Sequence, residues 1–272
     1  MCPNSQTLHA EAKLAPGIAA DGQPSQAKAQ SIAPVAVCVL LYGDYFALAR
    51  SAISSILELC PRENYSLIVG ANAVGSETLK FIKGLEENGA IDRLIISETN
   101  LNKCPMMRLM FEGIECEFIW WFDDDCRITE TFALSRWLER GRAAPASTVM
   151  WGPLASCDHG ENFTYLRDPV GFVRTASWYR GLPPPSWRPG GKGEFNHQNR
   201  GTGDGRWFFI TGGTWMIRTA AVRALGWPDP RLFKMGDDVF LGEAIRQQGW
   251  GLENLGMLGI AIGTGPGRGA LG

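Results

Sequence analysis

Residues 118–126 read FIWWFDDDC, an unbroken apolar run set directly against three carboxylates. Large apolar residues without polar alternation suit a strand covered on both faces, as in a parallel sheet between two helical layers. Asp123, Asp124 and Asp125 then emerge at the strand's carboxyl end, the end at which open α/β sheets bind ligands. Three adjacent carboxylates repel one another and need a cation or solvent. Oxygen-only ligands from two carboxylates suit Mg2+ or Mn2+. Such a metal bridges nucleotide phosphates and takes up charge on a leaving group. The plainer alternative is a solvated turn in which one Asp caps a following helix.

Moving outward, strands and helices alternate. VAVCVLL (35–41) is an apolar strand, and FALARSAISSILELC (46–60) has helical apolar spacing with Asp44 as its expected cap. YSLIVG (65–70) is a second strand. SETLKFIKGLEENG (76–89) is a second helix, with Ser76 as cap and Gly89 as stop. IDRLIIS (91–97) and MMRLMFEGI (106–114) repeat the unit, and after the acidic cluster come TETFALSRWLERG (129–141) and STVMWG (147–152). This alternation predicts an α/β fold, a Rossmann-like, mostly parallel sheet flanked by helices.

The pattern breaks over 153–205, rich in Pro, Gly, Trp and Arg, which reads as an irregular insert. It resumes with strands RWFFI (206–210) and TWMIR (214–218) and a helix over VFLGEAIRQQGW (239–250). Residues 1–33 read as a disordered leader and 259–272 as a Gly-rich tail, leaving 34–258 as the folded domain.

The 272 residues carry 26 Lys+Arg against 28 Asp+Glu, a net charge of −2, with 45% hydrophobic and 20% charged residues. That excludes collagen, coiled coil and wholesale disorder, and gives no support for general nucleic-acid or membrane binding. Cys2, Cys38, Cys60, Cys104, Cys116, Cys126 and Cys157 make an odd set without CxxC spacing, which argues against a disulfide framework and structural zinc. They read as reduced thiols of a cytoplasmic protein, Cys38 and Cys116 serving as small hydrophobes. No apolar stretch is long enough for a transmembrane segment, and the N-terminus lacks the pattern of a signal peptide.

Two further features follow the acidic cluster. Asp237 and Asp238 open an amphipathic helix within FKMGDDVFLGEAIRQQGW (233–250). They are either first-turn acids favourable to the helix dipole or a general base for an acceptor hydroxyl. In FFITGGTWMIR (208–218), the pair Gly212-Gly213 either makes a tight turn or lets the backbone approach another group closely.

In this order and spacing the features resemble glycosyltransferase family 2, the nucleotide-sugar transferases with a GT-A fold, over roughly residues 34–258. Asp123-Asp124-Asp125 resembles that family's DxD motif, and Thr211-Gly212-Gly213 its acceptor-side turn. Gly236-Asp237-Asp238-Val239, with Arg246 and Gly249-Trp250, resembles its Glu-Asp motif, helix Arg and closing pair. The resemblance implies a hexosyltransferase-like enzyme that uses Mn2+ or Mg2+ and a nucleoside-diphosphate sugar, most simply a UDP-sugar. It implies that Asp123 contacts the ribose or the metal, that Asp125 binds the metal, and that Asp124 lies beside the donor. Asp238 would be the base of an inverting displacement, with Asp237 in place of the Glu. Leu41, Tyr42 and Gly43 would lie near the nucleobase, and Arg108 would face the donor. Asn72 stands where the family often carries a base-holding Asp. His9, His159 and His197 all precede the Gly pair, so the family's late His ligand is missing or different.

The insert bears on the acceptor. Across 165–207, Arg167, Arg174, Arg180, Arg188, Lys192, Arg200 and Arg206 outnumber Asp168, Glu194 and Asp204, with Trp178, Tyr179, Trp187 and Trp207 interleaved. This is either a solvated loop or a lid for an acceptor that is phosphate-bearing, a glycan or a nucleic acid. Three other functions compete with transfer: a catalytically silent GT-A-like binding module, a sugar-nucleotide nucleotidyltransferase and a two-metal phosphoesterase. The nucleotidyltransferase needs a Gly-rich loop after the first strand, where LLYGDYF offers one Gly.

Overall fold

Four strands, β1 (Val35–Tyr42), β2 (Tyr65–Asn72), β3 (Arg93–Ser97) and β4 (Phe118–Asp123), form where the apolar runs predict them. They are linked by α1 (Phe46–Leu59), α2 (Ser76–Glu87) and α3 (Lys103–Phe111). The structure, a computed structural model, describes residues 33–157, 168–183, 207–233 and 236–263. The leader expected over 1–33, much of the insert, with His159 and His197, and the end of the tail fall outside those residues. Beyond β4 come β5 (Cys126–Ile128), α4 (Ala133–Ala143), β6 (Thr148–Gly152), β7 (Leu154–Cys157) and α5 (Pro169–Arg174). Then follow β8 (Trp207–Ile210), β9 (Thr214–Arg218), α6 (Thr219–Leu225), α7 (Asp237–Gln247), β10 (Gly251–Asn254) and β11 (Ile260–Ile262).

The main sheet has seven strands in the order β10-β6-β9-β4-β1-β2-β3. All neighbours pair in parallel except β9, which runs antiparallel to both β4 and β6. FIWWF is therefore the central strand, and this explains its lack of alternation. Phe118, Trp120 and Phe122 enter one core layer with Ile53 and Ile56 of α1 and Trp137 of α4. Ile119 and Trp121 enter the other, with Met106 and Met110 of α3 and Phe240 of α7. Trp121 stacks on Trp215 of β9 at 5.7 Å, and Trp120 packs against Trp137 at 5.3 Å. Cys38 and Cys116 sit in the α3-side core, and the free thiols Cys38, Cys60, Cys104, Cys116 and Cys126 are all buried. Burial pushes the Cys60 thiol up to about 12.

Several local expectations shift. Tyr45 and Gly75, without side-chain cap bonds, hold the N-cap positions assigned to Asp44 and Ser76. Gly89 does end α2, at φ +71°. α3 starts at Lys103, with Pro105 inside its first turn, where no intrahelical N–H is needed. The insert is partly regular: β7 pairs antiparallel with β8, and α5 is capped by the Asp168 carboxylate on Gly171 N at 2.8 Å. The expected tail also begins with structure, since Ile260–Ile262 pairs antiparallel with β5. Among the described residues no helix is long and apolar enough to cross a membrane.

Candidate active site

Strand register assembles a cleft of about 230 Å3 at the carboxyl ends of β1, β2 and β4. Tyr42 pairs with Asn72 across β1 and β2, and Leu40 pairs with Asp123 across β1 and β4. Leu40 and Tyr42 line the cleft. Leu41, expected at the nucleobase, points to the opposite face and is buried against the α1-side core, because successive strand residues alternate faces. Asn72 is 1% exposed. Its amide donates to Asn100 Oδ1 at 3.1 Å and its carbonyl accepts from Leu101 N at 2.8 Å. Asn100 in turn donates to the Tyr42 hydroxyl at 3.4 Å. Asn72 thus fixes the loop from β3 to α3 as one wall of the cleft.

The cleft also contains a residue that the sequence reading does not single out. Lys103, the first residue of α3, places Nζ 3.2 Å from Asp123 Oδ2, 3.3 Å from Asp237 Oδ2 and 3.0 Å from the Gly212 carbonyl oxygen. The same ammonium lies 5.7 Å from the centre of the Trp121 ring. Burial works against its charge, but Asp123, Asp237 and Asp238 outweigh it and hold the pKa above the ordinary lysine value. One side chain thus joins the DxD strand, the Gly pair and the acidic helix start. A Cβ on Gly212 would stand 3.1 Å from Lys103 Nζ and 3.5 Å from Asp238 Oδ2, so a glycine there leaves room for both.

The carboxylates differ in surroundings. Asp123 Oδ1 accepts from Trp121 Nε1 at 3.0 Å, so both its oxygens have donors. Burial, with Asp237 and Asp125 nearby, raises its pKa against the pull of Lys103 and Trp121. Asp124 is buried and lines the cleft. Asp125 lies beside Cys126, whose Sγ is 3.7 Å from its Oδ1. Asp238 accepts from its neighbour Val239 N at 2.8 Å. Burial and the adjacent Asp237 charge push its carboxyl up to about 7, with Lys103 pulling the other way. Gly213 anchors the turn by accepting from Asp123 N at 2.8 Å.

Arg108, expected to face the donor, is engaged elsewhere. It lines no part of the cleft and donates to the carbonyls of Asp229 and Leu232 at 3.1 and 3.4 Å. Arg108 lies five residue steps beyond Lys103, and at about 100° each these turn it some 140° round the helix. Arg246 is committed too, to Glu243 at 2.7 Å and to the Pro183 carbonyl at 2.8 Å. Among the described residues no three His, Cys, Asp or Glu side chains converge as a metal cage. Asp123 and Asp125 offer the carboxylate oxygens that suit Mg2+ or Mn2+.

Comparison with solved structures settles the architecture. The chain aligns with a mannosyltransferase, PcManGT from Pyrobaculum calidifontis in complex with GDP-Man and Mn2+, at TM-score 0.55 and 14% identity, over 84% of this chain and 56% of that one. The fold is GT-A. TarS 1–349 of S. aureus aligns at TM-score 0.51 and 13% identity, over 78% of this chain and 55% of that one. The chain thus spans a little over half the length of these structures. No protein-family profile and no curated protein sequence matches it. In the GT-A frame the cleft takes the position expected of a ligand site, beyond the carboxyl ends of the parallel strands.

Proposed function

We propose that this protein is a glycosyltransferase that moves a sugar from a nucleoside-diphosphate sugar to an acceptor hydroxyl. The observation that carries this is that the Lys103 ammonium pairs with Asp123, at the end of the central strand, and with Asp237, at the start of α7, where Asp238 follows and its charge also acts on Lys103. The GT-A fold and the complex of the mannosyltransferase with GDP-Man and Mn2+ support it.

In this reading the nucleoside lies along Tyr42, Asn72 and Asn100, and the diphosphate lies towards Asp123. Asp123 and Asp125 would hold a divalent cation, Mn2+ or Mg2+, which when bound supplies positive charge to the departing diphosphate. Asp238, with its pKa near 7, is matched to general-base work at neutral pH. It takes the acceptor hydroxyl proton as that oxygen bonds to the anomeric carbon and the bond to the diphosphate breaks. Attack from the face opposite the leaving group inverts the anomeric centre. Lys103 holds the Asp237 carboxylate in an ion pair beside Asp238. A cytoplasmic setting suits the buried free thiols.

The test is incubation with a panel of nucleotide sugars, UDP-sugars first and GDP-mannose beside them, with Mn2+, Mg2+ or EDTA. Released nucleoside diphosphate is the readout. Metal-dependent release from one donor, lost in Asp125→Asn and Asp238→Asn, is expected. Neither release nor donor binding under any condition overturns the reading in favour of a silent module.

A further inference from the structure

Lys103 is paired with Asp123, one of the two carboxylates proposed above to hold a metal. An ammonium has three N–H donors and no acceptor. Here three acceptors surround it: Asp123 Oδ2 at 3.2 Å, Asp237 Oδ2 at 3.3 Å and the Gly212 carbonyl oxygen at 3.0 Å. Asp123 Oδ2 and the Gly212 carbonyl oxygen accept hydrogen bonds from it and Asp237 pairs with its charge, so an incoming phosphate must compete with these oxygens for the ammonium. Asp123 is equally committed, with Oδ1 on Trp121 Nε1 and Oδ2 on Lys103. A cation arriving alone must displace the Asp123–Lys103 contact and then share a small, largely buried space with the ammonium. The Lys103 side chain is 17% exposed and that of Asp123 is 26% exposed, so repulsion between the two cations is only weakly screened.

We propose that Lys103 is a resident counter-ion that orders binding: it keeps divalent metal off Asp123 until a diphosphate arrives, and is then drawn from Asp123 to the diphosphate. The inference rests on the proposed function for the identity of the diphosphate, but its core concerns the metal alone. Exchange is feasible because the incoming anion offers the ammonium a replacement oxygen while the Asp237 and Gly212 contacts hold it near. The three anchors lie far apart in sequence, 20 residues to Asp123 and 109 to Gly212, so the same contacts hold the central strand, the Gly turn and the acidic helix start together before any ligand enters.

The experiment measures Mn2+ binding by the electron paramagnetic resonance signal of free Mn2+, with the full chain and no nucleotide. Lys103→Met keeps the side-chain length and removes the charge. It is expected to bind Mn2+ about tenfold or more tighter than the unaltered protein, and the added Asp123→Asn change should remove that gain. Equal Mn2+ affinity in the two proteins overturns the proposal. Because loss of the ammonium leaves buried carboxylates unpaired, the variant can lose its fold. A second measurement therefore uses the unaltered protein with 15N-labelled lysine. The Lys103 ammonium resonance is expected to stay in place with Mg2+ alone and to move with Mg2+ plus inorganic pyrophosphate, or with UDP or GDP. A shift of the same size with Mg2+ alone refutes the ordering. Absence of any nucleotide binding, beside a positive Mn2+ result, counts against the proposed function and leaves the counter-ion role standing.

Discussion

Asp238→Asn is expected to make the protein more stable while abolishing transfer, and the stability gain should depend on pH. The Asp238 carboxyl is pushed up to about 7 by burial and by Asp237, against an ordinary value near 4 in the unfolded chain. Between those two values the folded state holds a proton that the unfolded state has released. Folding stability therefore falls as pH rises through that window and levels off above about 7. A shift of about three units corresponds to about 4 kcal/mol at 1.36 kcal/mol per unit. The residue is only partly buried, and its place in the first turn of α7 favours the anion, so about 2 kcal/mol is the expected net penalty. Asn keeps an oxygen for the 2.8 Å bond from Val239 N and cannot ionise. Thermal melts of the two proteins from pH 5 to pH 9 test this. The variant should melt about 4–8 °C higher at pH 8.5, with the gap closing towards pH 5, while its transfer rate drops by about 100-fold or more. A variant that melts at or below the parent temperature at pH 8.5, or a gap that does not change with pH, refutes the account of Asp238 as a carboxylate strained by its neighbour.

Asp229 runs in the opposite direction. It is buried, yet despite the burial, hydrogen bonds from Arg231 and Trp178 hold its carboxyl below the ordinary range. Its stabilising effect is present above that range and fades as pH falls through it, so Asp229→Asn should cost about 2–3 kcal/mol in urea unfolding at pH 7 and much less near pH 3. Asn72→Ala leaves the Leu101 N–H without its acceptor and should weaken UDP or GDP binding roughly tenfold in calorimetry; unchanged affinity would make Asn72 a purely structural residue. Gly242→Ala forces a Cβ against the Phe208 carbonyl and to 2.9 Å from Phe209 Cα, both on β8. It should destabilise by more than about 2 kcal/mol, seen as a lower urea midpoint.

The central strand was legible because a residue pressed from both sides must be apolar at every position, and FIWWF has no alternative reading as a half-exposed strand. The acidic cluster and the acidic helix start were legible because carboxylates at those places demand a counter-charge. What supplies that charge was not. Lys103 acts through three contacts distant in sequence, and no spacing rule connects them. A local signal existed: a lysine in the first turn of a helix opposes the helix dipole, so it needs an anionic partner from elsewhere. Arg108, on the same helix, donates to the Asp229 carbonyl, and Leu41 packs in the α1-side core while its strand neighbours Leu40 and Tyr42 line the cleft. In the insert, β7 and α5 escaped notice because each is too short for periodicity to register.

The charge balance of the cleft gives the reason an added cation belongs to the proposed reaction. Asp123, Asp124, Asp125, Asp237 and Asp238 carry −5 when ionised, and Lys103 returns +1, leaving −4; with Asp238 protonated, the sum is −3. A nucleoside diphosphate adds further negative charge to a partly buried space, where like charges at a few ångströms repel by several kcal/mol. Lys103, with a single positive charge already paired with Asp123 and Asp237, cannot offset both sets of anions. A divalent cation brings +2, which is enough to turn the repulsion at Asp123 and Asp125 into ligation. The donor and the metal should therefore bind with strong mutual dependence. UDP or GDP affinity, measured by calorimetry in EDTA, should fall at least tenfold relative to Mn2+. Equal affinity in the two conditions would mean that another positive group, drawn from the Arg-rich stretch at 165–207, supplies the charge instead.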